Sequence, residues 1–242
     1  MFNIEPFIAH RGASAYAPEN TLAAFNKAYE LGARAIELDV MMCADGGLFI
    51  FHDETFQRAT SNGSGKFNAA TSDYINTLDA GSWFAPRFSG EKIVSLPEAI
   101  NWFVTHKVQA NFEIKPHPGC AKATTEAFLA CLKQHWPLDA PQPLVSCFDH
   151  DVMKRCARLA PELPLGLLFR KAPKNWMMLA KEVRAVSIHL DKYWVTKKRI
   201  KQMKDAGYQV CIYTVNSREF AARYLALGAD AILTDYPDLM DE

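Results

Sequence analysis

At 242 residues the chain is long enough for one large α/β unit, and 49% apolar against 22% charged residues is a core-forming rather than a disordered composition. Twenty-seven basic residues offset twenty-seven acidic ones, which argues against the broad positive field of a nucleic-acid or anionic-membrane binder. The six cysteines (Cys43, Cys120, Cys131, Cys147, Cys156, Cys211) are scattered, without the close pairs of a metal knuckle or redox motif. The start of the chain does not pattern as a secretory leader, and no apolar run approaches a membrane-spanning length. The expectation is a soluble cytoplasmic protein with reduced thiols and no membrane insertion.

A first apolar run over 5–10 ends in His10-Arg11-Gly12, which puts an imidazole and a guanidinium where a strand feeds a loop. The spacing of Leu22, Ala23, Phe25, Ala28, Tyr29 and Leu31 predicts a helix over 19–31, stopped at Gly32. A strand over 35–40 follows, with Ile36, Leu38 and Val40 on one face and Glu37 and Asp39 on the other. Asp45-Gly46-Gly47 reads as a turn before a short apolar run over 48–51 that ends in His52-Asp53.

From 54 to 92 the periodicity is lost. Small and polar residues such as Thr60-Ser61-Asn62-Gly63-Ser64-Gly65 dominate, interrupted by Leu78 and Trp83-Phe84. A stretch of this length is expected as an insertion that folds back over the rest. Regular alternation then resumes, with strands expected over 108–114, 144–147, 165–169, 185–188, 210–213 and 231–233 and helices mostly between them. With 5–10 and 35–40 this makes eight βα repeats, which favours a closed (β/α)8 TIM barrel over 1–242; a doubly wound open sheet is the structural alternative.

Polar residues gather at the C-terminal ends of these strands, the face on which barrel enzymes build their sites. Glu37 and Asp39 share one face of an interior strand, and Glu113 stands alone between Phe112 and Ile114. Unpaired interior carboxylates are expensive, and three of them suit a hard divalent cation, Mg2+ or Ca2+ rather than zinc. Arg11 and Lys115 fit either as ligands of a phosphoryl group or as internal salt-bridge partners of those carboxylates. His10 and His52, each ending an apolar run, fit a general acid–base pair. For Asp53 a turn cap is preferred over orienting a histidine. His106, His117, His135, His150 and His189 receive no role.

Taken in order, His10-Arg11-Gly12, Pro18-Glu19-Asn20-Thr21, Glu37-x-Asp39, His52-Asp53, Leu78-Asp79-Ala80-Gly81, Asn111-Phe112-Glu113-Ile114-Lys115, Thr214-Val215-Asn216 and Thr234-Asp235-Tyr236-Pro237 resemble the glycerophosphodiester phosphodiesterase family, most closely its short bacterial cytosolic members. That resemblance implies a (β/α)8 barrel with a small insertion after the second strand. It also implies metal-dependent hydrolysis of small glycerophosphodiesters, such as glycerophosphocholine or glycerophosphoethanolamine, to sn-glycerol 3-phosphate and an alcohol. Position by position, it implies Glu37, Asp39 and Glu113 as ligands of one Mg2+ or Ca2+, His10 and His52 as the acid–base pair, and Arg11 and Lys115 as phosphate contacts. The substrate's own 2-hydroxyl would be the nucleophile, through a cyclic phosphate. The chain departs from the family at Tyr213, where tryptophan is frequent, at Val94 in place of proline and at Ala44 in place of lysine. Phe84, Phe148 and Tyr213 are candidates for the pocket wall, with core packing an equal expectation for each. A barrel phospholipase acting on intact lipid and a catalytically dead phosphate-ligand binder are the competing functions.

Overall fold

The inward and outward faces of β2 set the plan of the molecule. Ile36, Leu38 and Val40 are fully buried on the outer face against the helices, whereas Glu37 and Asp39 project inward. The computed structural model describes residues 3–239, so the ends of the expected 1–242 unit lie outside the described residues. The strands are β1 (Phe7–His10), β2 (Ala35–Met42), β3 (Leu48–Ile50), β4 (Gln109–Ile114), β5 (Leu144–Cys147), β6 (Leu165–Phe169), β7 (Ser187–Asp191), β8 (Gln209–Tyr213) and β9 (Ala231–Thr234). All except β3 pair in parallel, and β1 bonds to both β2 and β9, which closes an eight-stranded barrel. The helices are α1 (Leu22–Glu30), α2 (Ser72–Thr77), α3 (Leu96–His106), α4 (Ala121–His135), α5 (His150–Leu159), α6 (Trp176–Glu182), α7 (Lys197–Asp205) and α8 (Arg218–Ala226). The fold is a (β/α)8 TIM barrel, not an open sheet.

Local chemistry explains where the helices begin. Thr21 caps α1 by accepting from the Ala24 amide, and at α3 Ser95 and Glu98 form a reciprocal capping box beside Pro97. The short β3 runs antiparallel to the end of β2, with Val40 opposite Ile50 and Met42 opposite Leu48. This hairpin carries the chain past the barrel rim and delivers His52 and Asp53 to it.

The 54–92 segment contains α2 and two 3-10 turns, and it has a core of its own. Phe56, Phe67, Ile75 and Leu78 are fully buried there with Phe49 and Phe51 from the hairpin. The rings of Phe56 and Phe67 lie 5.4 Å apart, and Phe51 stacks on Phe67 at the same distance. Several expected bounds move by one or two residues, β1 starting at Phe7 and β2 running on to Met42, and β7 moves most, starting at Ser187, not 185, and running through Asp191. The carboxylate of the aspartate that ends it accepts from the Tyr193 amide in the next turn.

Candidate active site

A cavity of about 680 Å3 opens at the C-terminal ends of the strands, lined among others by His10, Arg11, Glu37, His52, Glu113 and Lys115. Within and beside it, β2 and β4 run in register with Asp39 opposite Glu113. One carboxylate oxygen from each of Glu37, Asp39 and Glu113 lies within 4.8 Å of the others, and all three residues are buried. Burial, with the neighbouring Asp39 charge, raises Glu37 well above the carboxylate range and lifts Glu113 to about 7. Burial opposes ionisation of Asp39 too, but Arg11 and Lys115 outweigh it and hold that group at about 2. An all-oxygen donor set of three carboxylates fits a hard divalent cation.

Arg11 and Lys115 are salt-bridge partners of the carboxylates, one of the two tasks the sequence allowed. The Arg11 guanidinium reaches Asp39 at 3.2 Å and Glu19 at 2.8 Å, and Lys115 Nζ lies 3.5 Å from Glu113 and 3.6 Å from Asp39. Both also line the cavity, where their charge is available to an anionic ligand. Arg11 sits in the left-handed region with φ 58°, and Gly12 follows at φ 83°. A Cβ on Gly12 would lie 2.7 Å from the Ala24 backbone, so only glycine lets the strand end turn this tightly under α1.

The Pro18-Glu19-Asn20-Thr21 stretch acquires a separate task for each polar residue. Glu19 holds Arg11, Asn20 donates to Asp39 Oδ2 at 2.9 Å, and Thr21 caps α1. Sequence reasoning assigned no role to Glu19 or Asn20. Their order in the motif was the available signal.

His10 and His52 are each held by an aspartate through Nδ1. His10 Nδ1 is 2.7 Å from Asp235, which also accepts from Ser14 Oγ at 2.9 Å and Asn216 Nδ2 at 2.5 Å. His52 Nδ1 is 2.6 Å from Asp53. The turn cap preferred for Asp53 is therefore replaced by histidine orientation, because the ring lies directly beside the carboxylate. Holding Nδ1 leaves Nε2 of each ring as the atom that can meet a ligand. Asp235 was visible in the Thr234-Asp235-Tyr236-Pro237 motif but received no role, because its partner lies 225 residues away. Burial lowers the pKa of His52, although the Asp39 charge works the other way.

The far wall of the cavity includes Phe148 and Tyr213, with ring centroids 6.0 Å apart in an edge-to-face pair. Phe84 instead packs against Trp83 and Phe88, away from that wall. Asp191, Arg170 and the buried His189 also line the cavity, and no sequence signal marked them.

The sequence profile of the glycerophosphoryl diester phosphodiesterase family matches residues 10–239. The chain belongs to that family. It is 34% identical to a glycerophosphodiester phosphodiesterase of Caldanaerobacter subterraneus, over 96% of this chain and 95% of that one. A putative glycerophosphodiester phosphodiesterase of Bacillus subtilis is also 34% identical, with the same coverage. Among solved structures, an Oleispira antarctica phosphodiesterase in complex with the product sn-glycerol 3-phosphate superposes with a TM-score of 0.95 at 34% identity, covering 98% of this chain and 96% of that one. The chain is thus an enzyme of the glycerophosphodiester phosphodiesterase kind. Among the described residues no helix is long and apolar enough to cross a membrane.

Proposed function

We propose that the cavity hydrolyses small glycerophosphodiesters, glycerophosphocholine and glycerophosphoethanolamine among them, to sn-glycerol 3-phosphate and an alcohol. The observation that carries this is the meeting of two aspartate-held histidines with a buried carboxylate trio in one cavity. Binding alone does not require a pair of acid–base groups; in-line displacement at phosphorus does. We take 1–242 as one barrel domain into which 54–92 is inserted, working in the cytoplasm.

Glu37, Asp39 and Glu113 hold one Mg2+ or Ca2+, which supplies Lewis-acid stabilisation of charge on the phosphoryl oxygens. Arg11 and Lys115 bind and orient the phosphodiester, and their positive charge answers the charge that builds in the transition state. One of His10 and His52 takes the proton from the substrate's glycerol 2-hydroxyl through Nε2. The other gives a proton to the departing alcohol oxygen. The 2-hydroxyl oxygen bonds to phosphorus as the ester bond to the alcohol breaks, leaving a cyclic phosphate. Water opens that ring with the histidines exchanging roles. Asp235 and Asp53 keep each ring in the tautomer and orientation these transfers need.

Identification of the products tests the assignment. Glycerophosphocholine should give choline and sn-glycerol 3-phosphate. Release of glycerol and phosphocholine would place the cleavage on the other side of phosphorus and contradict it.

A further inference from the structure

We propose that Arg58 is a positioning residue that locks the His52 and Arg11 sides of the active site into one unit; the proposal rests on the functional assignment above. Arg58 lies in the 54–92 segment, outside the barrel strands. Its guanidinium uses both edges of its fork. Nε and Nη2 reach the two oxygens of Asp53 at 2.5 and 3.0 Å, while Nη1 and Nη2 reach the two oxygens of Glu19 at 2.7 Å each. Asp53 orients His52, and Glu19 holds Arg11, which in turn reaches Asp39. A continuous chain of charge-assisted hydrogen bonds thus runs His52, Asp53, Arg58, Glu19, Arg11, and the 3.2 Å ion pair from Arg11 extends it to Asp39.

Two carboxylates brought to the same guanidinium would repel each other without it, and Glu19 is largely buried. Freed of Arg58, Asp53 can swing off the imidazole toward solvent, and Glu19 has only Arg11 left to neutralise it. A planar fork that chelates two carboxylates at once has no substitute in lysine, whose ammonium is a single point charge.

Packing fixes where that fork stands. Phe56, two residues before it, is fully buried among the rings of the segment's core, and Ala59 beside it is buried as well. Thr60 Oγ1 donates to the Phe56 carbonyl at 2.8 Å and accepts from the Gly63 amide at 3.1 Å, and the Phe56 amide donates to the Gly65 carbonyl. The apolar core of the 54–92 segment therefore has a catalytic consequence: it aims Arg58.

The test compares wild type with Arg58→Met, Arg58→Lys and Arg58→Ala. Because misplacing reacting groups by about 1 Å can cost ~10²-fold, kcat/KM of Arg58→Met should fall by about 10²-fold, with kcat lower through His52 and KM higher through Arg11. Arg58→Lys should keep part of the loss, on the order of tenfold, and added guanidinium should partly restore Arg58→Ala. Affinity for Mg2+ by calorimetry should stay within about threefold of wild type, since Arg58 bonds to none of the three carboxylates. The proton on His52 Nδ1 should give a downfield resonance in wild type that is lost in Arg58→Met, while that of His10 persists. This resonance does not depend on turnover. Wild type that fails to cleave glycerophosphodiesters would strike the functional assignment, and the resonance would still decide the positioning claim. If Arg58→Met does not fold, Arg58→Lys carries the same measurements. A folded variant that keeps both wild-type kcat/KM and the His52 resonance, or one whose loss of activity is matched by loss of metal affinity, would overturn the proposal.

Discussion

The barrel and the 54–92 segment bury their apolar side chains in different ways, and the difference separates two kinds of functional contribution. In the barrel, period-2 alternation drives Ile36, Leu38 and Val40 outward and leaves the inward face of β2 free for Glu37 and Asp39. The three carboxylates are therefore carried on barrel strands. In the segment, aromatic rings from separate turns, Phe56 and Phe67 with Phe51, meet in a compact cluster. None of the three proposed metal ligands comes from it. Its contribution is to hold the surroundings of His52.

The sharpest way to break this division is on the barrel side. Glu113→Ala removes one of the three proposed cation ligands, so metal affinity and turnover should fall together to background while the circular dichroism spectrum stays native. Full activity in that variant would dissolve the carboxylate site. His52→Ala, at the junction of the two regions, should lower kcat by about 10²- to 10⁴-fold at saturating metal. Lost metal affinity with unchanged kcat at saturation would make His52 a ligand instead.

On the other side, Phe67→Ala should destabilise the protein by about 3–5 kcal/mol, the usual cost of emptying a buried ring site. Thermal unfolding measures that loss, and calorimetry with Mg2+ on the folded variant should show the barrel's affinity nearly intact. Metal affinity that collapses with Phe67 would mean the regions are not separable in this way.

The smallest effect concerns protons. A divalent cation binds the ionised carboxylate, and Glu113, lifted to about 7 by burial and by Asp39, holds its proton below that point. Affinity should therefore drop as pH falls through 7, by up to about tenfold per unit below the pKa, with Glu37, which burial also raises, adding to the fall. Titrations in buffers of different ionisation enthalpy should show proton release near neutrality. Affinity independent of pH between about 6 and 8 would contradict the assigned state of Glu113.

How legible all this was in the sequence depended on how local each interaction is. Strand periodicity exposed the barrel and the inward carboxylates, because both follow from residues two apart. The end of β7 was misplaced because His189 interrupts the apolar run that signals a strand after Ile188. The partnership of Asp235 with His10 could not be read, since barrel closure alone brings β9 beside β1. Asp53 was read as a turn cap because adjacency to His52 in sequence does not reveal which way a ring faces. The core of the 54–92 segment lacked any periodic signature, its rings being supplied by turns rather than by one face of one element.

The most direct test of the central claim is sn-glycerol 3-phosphate release from glycerophosphocholine by folded protein with Mg2+, with Ca2+, and with a chelator in excess. Release that depends on one of these ions, vanishes on chelation and returns on re-addition is the expected result. Release that persists undiminished in the chelator would contradict a catalytic role for a cation held by Glu37, Asp39 and Glu113.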